Sequence, residues 1–280
     1  MSKTYRIGTR KSQLALAQTN LVKRKLESLT GDHFELVEMS TAGDQDTSKP
    51  LWQMDGKDFF TKELDKALLE KEVDLCVHSY KDLGHIRPPG IFLAGIGKRD
   101  FIHDILLIKK KTVQQLQKYD FQGTFRVGTS SPRRIQNISS SLLELLPTKV
   151  EIPLECVNLR GNIVTRMNKL LANQYDAIIL AFAGLERLAQ DQEGLQTLKN
   201  FIHELDYMIL PLEKFPAAAA QGALAIECLE SRDDHGELHQ KIALLKHSDT
   251  IKEIERERKA FSGRSWRRIK MPPLSARLMM

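Results

Sequence analysis

The pattern that most restricts the fold of this chain is written twice. Arg6-Ile7-Gly8-Thr9 runs into Arg10-Lys11-Ser12, and Arg126-Val127-Gly128-Thr129 runs into Ser130-Ser131-Pro132-Arg133-Arg134. In both, an apolar lead-in stops at a glycine, a hydroxyl follows, and a basic cluster comes next. Glycine allows a tight backbone turn, and proline fits the first turn of a helix, where its missing N–H costs nothing. Hydroxyls and free amides at a helix start, backed by guanidinium groups, form a site for an anion. Taken alone, the second stretch favours the plainer reading, a helix N-cap followed by two solvated arginines. A second echo strengthens the repeat: Val73-Asp74-Leu75-Cys76-Val77 is matched by Tyr175-Asp176-Ala177-Ile178-Ile179-Leu180.

The spacing between these runs alternates strand and helix. Ser12 is placed to cap a helix with apolar positions Leu14, Ala17, Leu21, Val22 and Leu26, and Phe34 to Met39 alternates like a strand. Residues 43–58 have no periodicity and read as a mobile loop. Phe60, Leu64, Leu68 and Leu69 then mark one face of a helix, and Leu159-Arg160-Gly161-Asn162 opens another marked by Ile163, Met167, Leu170 and Leu171. Such alternation predicts parallel sheets, with ligands beyond the carboxyl ends of the strands. The polar residues after each strand, Thr9 to Ser12, His78 to Asp82, Thr129 to Arg134, Arg160 and Arg187, are therefore expected in one cleft between two similar α/β halves. Many arginines and one carboxylate, Asp82, suit a ligand with several carboxylates and one group that becomes cationic during reaction. Phe215 to Gly222 leads into a strand at Ala223 to Cys228, and Leu238, Ile242, Leu245, Ile251, Ile254 and Phe261 give a helix-rich third unit.

Composition narrows the partner. Over 280 residues the net charge is +6, which suits an acidic partner, either nucleic acid or a small polycarboxylate or phosphate. The 11 Phe, 5 Tyr and 2 Trp form no stripe among basic residues, which argues against a base-stacking platform and so against nucleic acid. Cys76, Cys156 and Cys228 lie in apolar runs at wide spacing, so neither a disulfide frame nor a metal site is expected. No window approaches the length of a membrane-spanning helix, and a cytoplasmic protein without a membrane partner is the expectation.

Several motifs together resemble one family, the hydroxymethylbilane synthases, also called porphobilinogen deaminases. They are Ile7 to Leu16, Gly56 to Leu64, Val77-His78-Ser79-Tyr80-Lys81-Asp82, Val127 to Arg134, Leu159 to Asn162, Tyr175 to Leu188 and Ala220-Gln221-Gly222-Ala223. The resemblance covers about residues 5–230 in order. It implies an α/β fold with two domains like periplasmic binding proteins and a small, shortened α+β third domain. The expected division is 1–100 with about 205–219, then 101–204, then 220–280. It also implies a monomeric transferase of tetrapyrrole (porphyrin and haem) biosynthesis, which joins four molecules of porphobilinogen head to tail into hydroxymethylbilane with release of ammonia.

Residue by residue, Asp82 matches the family's catalytic carboxylate, and an anion fixed at the pyrrole N–H would stabilise an azafulvenium-like cation. Arg10, Ser12, Lys81, Thr129, Ser130, Ser131, Arg133, Arg134, Arg160, Gly161, Arg166 and Arg187 match the positions that hold acetate and propionate side chains. Bidentate guanidinium–carboxylate pairing accounts for so many arginines. Phe60 matches an aromatic that packs on a pyrrole ring, and reads equally as a core position of its helix.

The chain departs from the family at one place. The family's dipyrromethane cofactor is joined by a thioether to a cysteine in a Gly-Gly-Cys-x-x-Pro loop. Alignment from Phe261 forward, or from Pro273-Leu274-Ser275-Ala276 backward, puts that cysteine near Ile269 or Lys270, and neither is a cysteine. Ser265 to Pro272 can be encoded as TCT TGG AGG AGG ATC AAA ATG CCC. Read in another frame, those bases give Leu-Gly-Gly-Gly-Ser-Lys-Cys-Pro, so a local frame slip across residues 262–273 is one open account of the departure, and a resequenced locus without one overturns it. Two other readings stand beside the synthase: a non-catalytic relative that binds pyrrole carboxylates or other small anions, and a two-lobed solute-binding or regulatory module. Retention of Asp82 favours the synthase over the module, because a plain anion receptor needs no carboxylate in its cleft.

Overall fold

The computed structural model describes residues 2–41 and 61–262, the side chains of 261 and 262 excepted. Phe60, the 43–58 segment, Ile269 and Lys270 lie outside the described residues. The first half begins with β1 (Thr4–Arg10), α1 (Gln13–Thr30) and β2 (His33–Met39), with β2 parallel to β1. Ser12 caps α1 as its position predicts, its Oγ accepting from Ala15 N at 3.3 Å. Next come α2 (Lys62–Leu69), β3 (Leu75–Ser79), a single 3-10 turn at Tyr80–Asp82, and β4 (Ile91–Ile96).

The second half runs from β5 (Asp104–Lys109) through α3 (Lys110–Gln117) and β6 (Phe125–Gly128) to α4 (Pro132–Asn137), whose helical path continues to Leu145. It ends with β7 (Leu154–Val157), α5 (Ile163–Leu171), β8 (Ala177–Ala181), α6 (Phe182–Ala189), α7 (Gln192–Ile202) and β9 (Leu205–Ile209). The chain then returns in β10 (Leu224–Leu229) before α8 (Glu237–Ala243) and α9 (Ser248–Ser262).

These strands form two five-stranded sheets, ordered β2-β1-β3-β10-β4 and β7-β6-β8-β5-β9. The sequence repeat is a repeat of structure. Asp74 Oδ2 accepts from Arg6 N at 2.8 Å while Arg6 Nη2 donates to Lys71 O at 2.7 Å. In the second half Asp176 Oδ2 accepts from Arg126 N at 2.8 Å while Arg126 Nη2 donates to Asn173 O at 3.0 Å. The glycines at the two strand ends are needed for close approach. A Cβ on Gly8 would lie 2.7 Å from Cys76 Sγ, and one on Gly128 would lie 2.9 Å from both Ile178 and Tyr175 side-chain atoms.

Three expectations are corrected. The sheets are mixed rather than parallel: β1, β2 and β3 run parallel, as do β6, β7 and β8, but β10 is antiparallel to β3 and β4, and β5 to β8 and β9. The stretch at 205–219, expected with the first domain, contributes β9 to the second sheet, where Ile105 sits opposite Ile209. The strand expected to open a third unit is inserted in the first sheet between β3 and β4. Hydrophobic burial is the reason, because Ile226, Cys228, Leu238, Ile242 and Leu245 share one core with Tyr5, Ile7, Val22 and Phe34. Within the described residues, the helices after β10 therefore complete the first half.

The chain crosses between halves twice, at 97–103 and 210–223, and the two crossings are tied together. Asp100 N donates to Gly222 O at 2.9 Å. Gly222 has φ +86°, and a Cβ there would lie 2.6 Å from Asp100 O, so glycine is required on both counts.

Candidate active site

The carboxyl ends of β1 and β3 in one sheet and of β6 and β8 in the other face a cleft of about 940 Å³. Of the predicted residues, Arg10, Ser12, Lys81, Asp82, Ser130, Ser131, Arg133, Arg134, Arg160, Gly161, Arg166 and Arg187 all line it. Among the described lining residues nine are Lys or Arg, and Asp82 is the only carboxylate. Each half brings its share by the same local device, a strand that ends in a polar turn.

Two expected residues are placed elsewhere. Thr129 is buried behind the wall, its Oγ1 accepting from Ser131 N at 3.2 Å. It is the hydroxyl that turns the backbone, whereas Ser131, at the N-cap of α4, makes no side-chain cap. His78 is buried with Nε2 3.3 Å from Glu227 Oε2, and burial lowers its pKa to about 3, so the ring is neutral. Glu227 is held in turn by Arg87, whose Nε and Nη2 donate at 2.6 Å and 2.8 Å.

The arginines fall into two groups. Arg133 and Arg134 both pair with Asp104, at 2.8 Å each, and Asp104 is fully buried at the head of β5. Arg133 Nη1 also donates to Pro216 O at 2.7 Å, and Arg134 Nη1 to Ile179 O at 2.9 Å. Arg187 Nε donates to Asp100 Oδ2 at 2.7 Å and its Nη2 to Gly222 O, so this guanidinium straps the two crossings. These side chains set the shape and potential of the cleft wall through partners they already have.

In the other group Arg166, like Lys81, is perturbed by its surroundings. Arg166 Nε donates to Gly161 O at 2.7 Å. Burial, then the Arg134 and Arg160 charges, lower its pKa to about 10. Lys81 Nζ lies 3.4 Å from Gln221 Oε1, and burial lowers its pKa to about 8. Cations depressed by burial and by one another give the cleft a chemistry suited to an anion. Ser130 Oγ, 2.6 Å from Asn158 Oδ1 and Leu159 O, fixes the loop that carries Arg160.

Sequence reasoning missed three contributors. Gln18 and Lys169 line the cleft, Gln18 receiving a hydrogen bond from Ser79 Oγ at 3.2 Å. Gln221 bridges both halves, its Nε2 donating to Ile102 O at 2.6 Å and to Asp104 Oδ1 at 3.0 Å. Its signal was the Ala220-Gln221-Gly222 motif itself, a polar residue between small ones just before an apolar strand.

No cysteine lines this cleft among the described residues. Burial raises the thiol of Cys156 to about 11 and of Cys228 to about 12, and raises that of Cys76 well above its ordinary value. All three are thiols at neutral pH rather than nucleophilic thiolates.

Residues 5–237 match the family model described as porphobilinogen deaminase, dipyromethane cofactor binding domain. The porphobilinogen deaminase of Brevibacillus brevis is 42% identical over 247 residues, covering 88% of this chain and 70% of that protein. The chain belongs to the porphobilinogen deaminase family. The porphobilinogen deaminase of Gloeobacter violaceus is 37% identical over 259 residues, covering 92% of this chain and 72% of that one. Among solved structures, the methionine binding protein MetQ aligns over 93% of this chain and 96% of its own at 15% identity, with a TM-score of 0.44. No helix among the described residues is long and apolar enough to cross a membrane.

Proposed function

We propose that this chain assembles porphobilinogen units in the cleft as a transferase of tetrapyrrole biosynthesis. The observation that carries the reading is that, among the described lining residues, a single carboxylate, Asp82, is set among nine cations. Porphobilinogen brings two carboxylates per ring. The side chains of Arg10, Lys81, Arg160 and Arg166 supply charge to hold them, and Arg133, Arg134 and Arg187 keep that wall in place. The aminomethyl C–N bond breaks as ammonia leaves, and positive charge spreads over the ring and its exocyclic methylene. Asp82, fixed beside the pyrrole N–H, stabilises that charge as it forms. A pyrrole α-carbon then attacks the methylene, a C–C bond forms and the α-proton leaves; after four units, hydrolytic cleavage of the bond to the acceptor ring, in which that ring's α-carbon regains a proton and the hydroxyl of water joins the methylene, would release hydroxymethylbilane.

The donor set also fits a dipyrromethane cofactor, which is a polycarboxylate too and supplies the acceptor ring for the first condensation. Ser12, Ser130, Ser131 and Gly161 add hydroxyl and backbone contacts to the same wall. Cys76 and Cys228, buried, and Cys156, half-buried, all lie outside the cleft lining and are not its anchor. A monomer in the cytoplasm is the corresponding assignment.

Incubation of the purified full chain with porphobilinogen, with intact and peptide mass spectrometry, tests this reading. Consumption of porphobilinogen with release of ammonia is expected, with no pyrrole adduct on the three named cysteines. Absence of both consumption and binding overturns the assignment, and an adduct on any of the three overturns the account of the anchor.

Lys81 gives the binding step a pH dependence. Its pKa in the free protein is about 8, and a carboxylate beside it raises that value, so binding takes up a proton above pH 8. Affinity for a polycarboxylate pyrrole is expected to be constant below about pH 8 and to fall above it by up to about tenfold per pH unit. Lys81→Met removes that slope; a calorimetric titration in which the slope persists excludes Lys81 as its source.

A further inference from the structure

The turn that carries Asp82 is short and follows directly on β3. Tyr80–Asp82 is a single 3-10 turn closed by one hydrogen bond, Leu83 N to Tyr80 O at 3.2 Å, and Asp82 itself is exposed. One side chain from a distant helix grips it from behind. Arg258, on α9, donates from Nη1 to Tyr80 O at 3.3 Å, and from Nη2 to Leu83 O at 3.1 Å and Gly84 O at 2.9 Å. Its guanidinium also lies over the Tyr80 ring, 4.5 Å from the centroid. The carbonyls it binds stand immediately before Lys81-Asp82 and immediately after it.

We infer that Arg258 is a positioning residue for Asp82, a planar clamp that fixes the backbone on both sides of the catalytic carboxylate. A guanidinium offers donors in one rigid plane and can stack on an aromatic face at the same time, which an ammonium cannot. The clamp has a firm base. Ile254, one turn before Arg258, is buried with Tyr80, Leu83 and Ala223, and Tyr80 N donates to Ala223 O at 3.0 Å. Without the clamp the turn keeps its lower anchor and loses its fixed upper edge, so the carboxylate samples positions away from the pyrrole N–H. Stabilisation of developing charge is sensitive to displacements of that size.

The inference rests on Asp82 being the catalytic carboxylate, and the experiment separates the two. Arg258→Met keeps the length of the stem and removes every donor. It is expected to lower kcat for porphobilinogen by about 10- to 100-fold with KM unchanged. Arg258→Lys, which keeps the charge without the fork, is expected to fall between. Hydrogen exchange read by mass spectrometry is expected to show faster exchange in Arg258→Met across residues 80–84, with β5 and β8 unaltered. Full kcat in Arg258→Met overturns the inference, as does unchanged exchange across 80–84. A matched rise in KM, or faster exchange throughout the chain, marks Arg258 as a support of the fold and overturns it too. If the unsubstituted chain turns nothing over while exchange at 80–84 still responds to Arg258→Met, the catalytic reading of Asp82 fails and the clamp stands as a backbone contact only.

Discussion

Asp82→Asn is expected to lower the rate of porphobilinogen condensation by about 10²- to 10³-fold, the loss typical when a fixed electrostatic partner of the transition state is removed. Binding should survive, because Asp82 is, among the described lining residues, the one that repels the acetate and propionate groups of the ligand while the cations around it attract them. Calorimetry with porphobilinogen, run beside a turnover assay, is the measurement. An affinity equal to or slightly above that of the unsubstituted chain, with turnover lost, is the expected pair of results. Equal loss of both means that Asp82 holds the ligand or the fold, and ends its catalytic assignment.

Asp104→Asn is expected to destabilise the protein by about 3–5 kcal/mol, because it leaves the buried Arg134 and the partly exposed Arg133 guanidinium groups without their shared carboxylate. Asp104 is fully buried, pairs with Arg133 and Arg134 at 2.8 Å each, and also accepts from Gln221 Nε2 at 3.0 Å. For a chain of this size the melting temperature should fall by about 10 °C. The pH dependence has a defined sign. The two arginines hold the Asp104 carboxyl well below the usual carboxylate range. Its stabilisation is therefore complete above the ordinary carboxylate pKa and is lost as pH falls from there towards the depressed folded value. Acid unfolding curves of the two proteins should converge in that window. A variant that melts within a degree of the parent at neutral pH would show that the arginines are held by their carbonyl partners alone.

These two aspartates show where the sequence could be read and where it could not. Asp82 follows an apolar strand and precedes a loop, so its place at a carboxyl-terminal edge was legible from local pattern, and the same holds for Arg10, Lys81 and Arg133. Ser12 was legible as a cap and residues 159–162 as a helix start, where Asn162 Oδ1 accepts from Thr165 N at 2.8 Å. Whether an arginine meets a ligand or the protein is a long-range fact. Arg134 and Arg187 look like their neighbours in sequence, yet one ends on Asp104 and the other on Asp100 and Gly222. The partner of a strand is equally unwritten in its own alternation. Ala223 to Cys228 read correctly as a strand, but its antiparallel insertion between β3 and β4 depends on residues more than a hundred positions away. Thr129 was misplaced for a smaller reason: a hydroxyl that caps the turn beneath a site has the same sequence signature as one that faces into it.

The insertion of β10 bears on the order in which the molecule can be made. All five strands of the second sheet come from one uninterrupted stretch between Asp104 and Ile209, so that sheet can close as soon as this stretch has left the ribosome. The first sheet, although its chain is synthesised earlier, must wait. Until Leu224–Leu229 arrives, β4 has no neighbour and the edge of β3 stands open, with the apolar residues Leu75 and Val77 beside it. During synthesis the N-terminal half is thus the exposed one, and it is the half that carries Asp82.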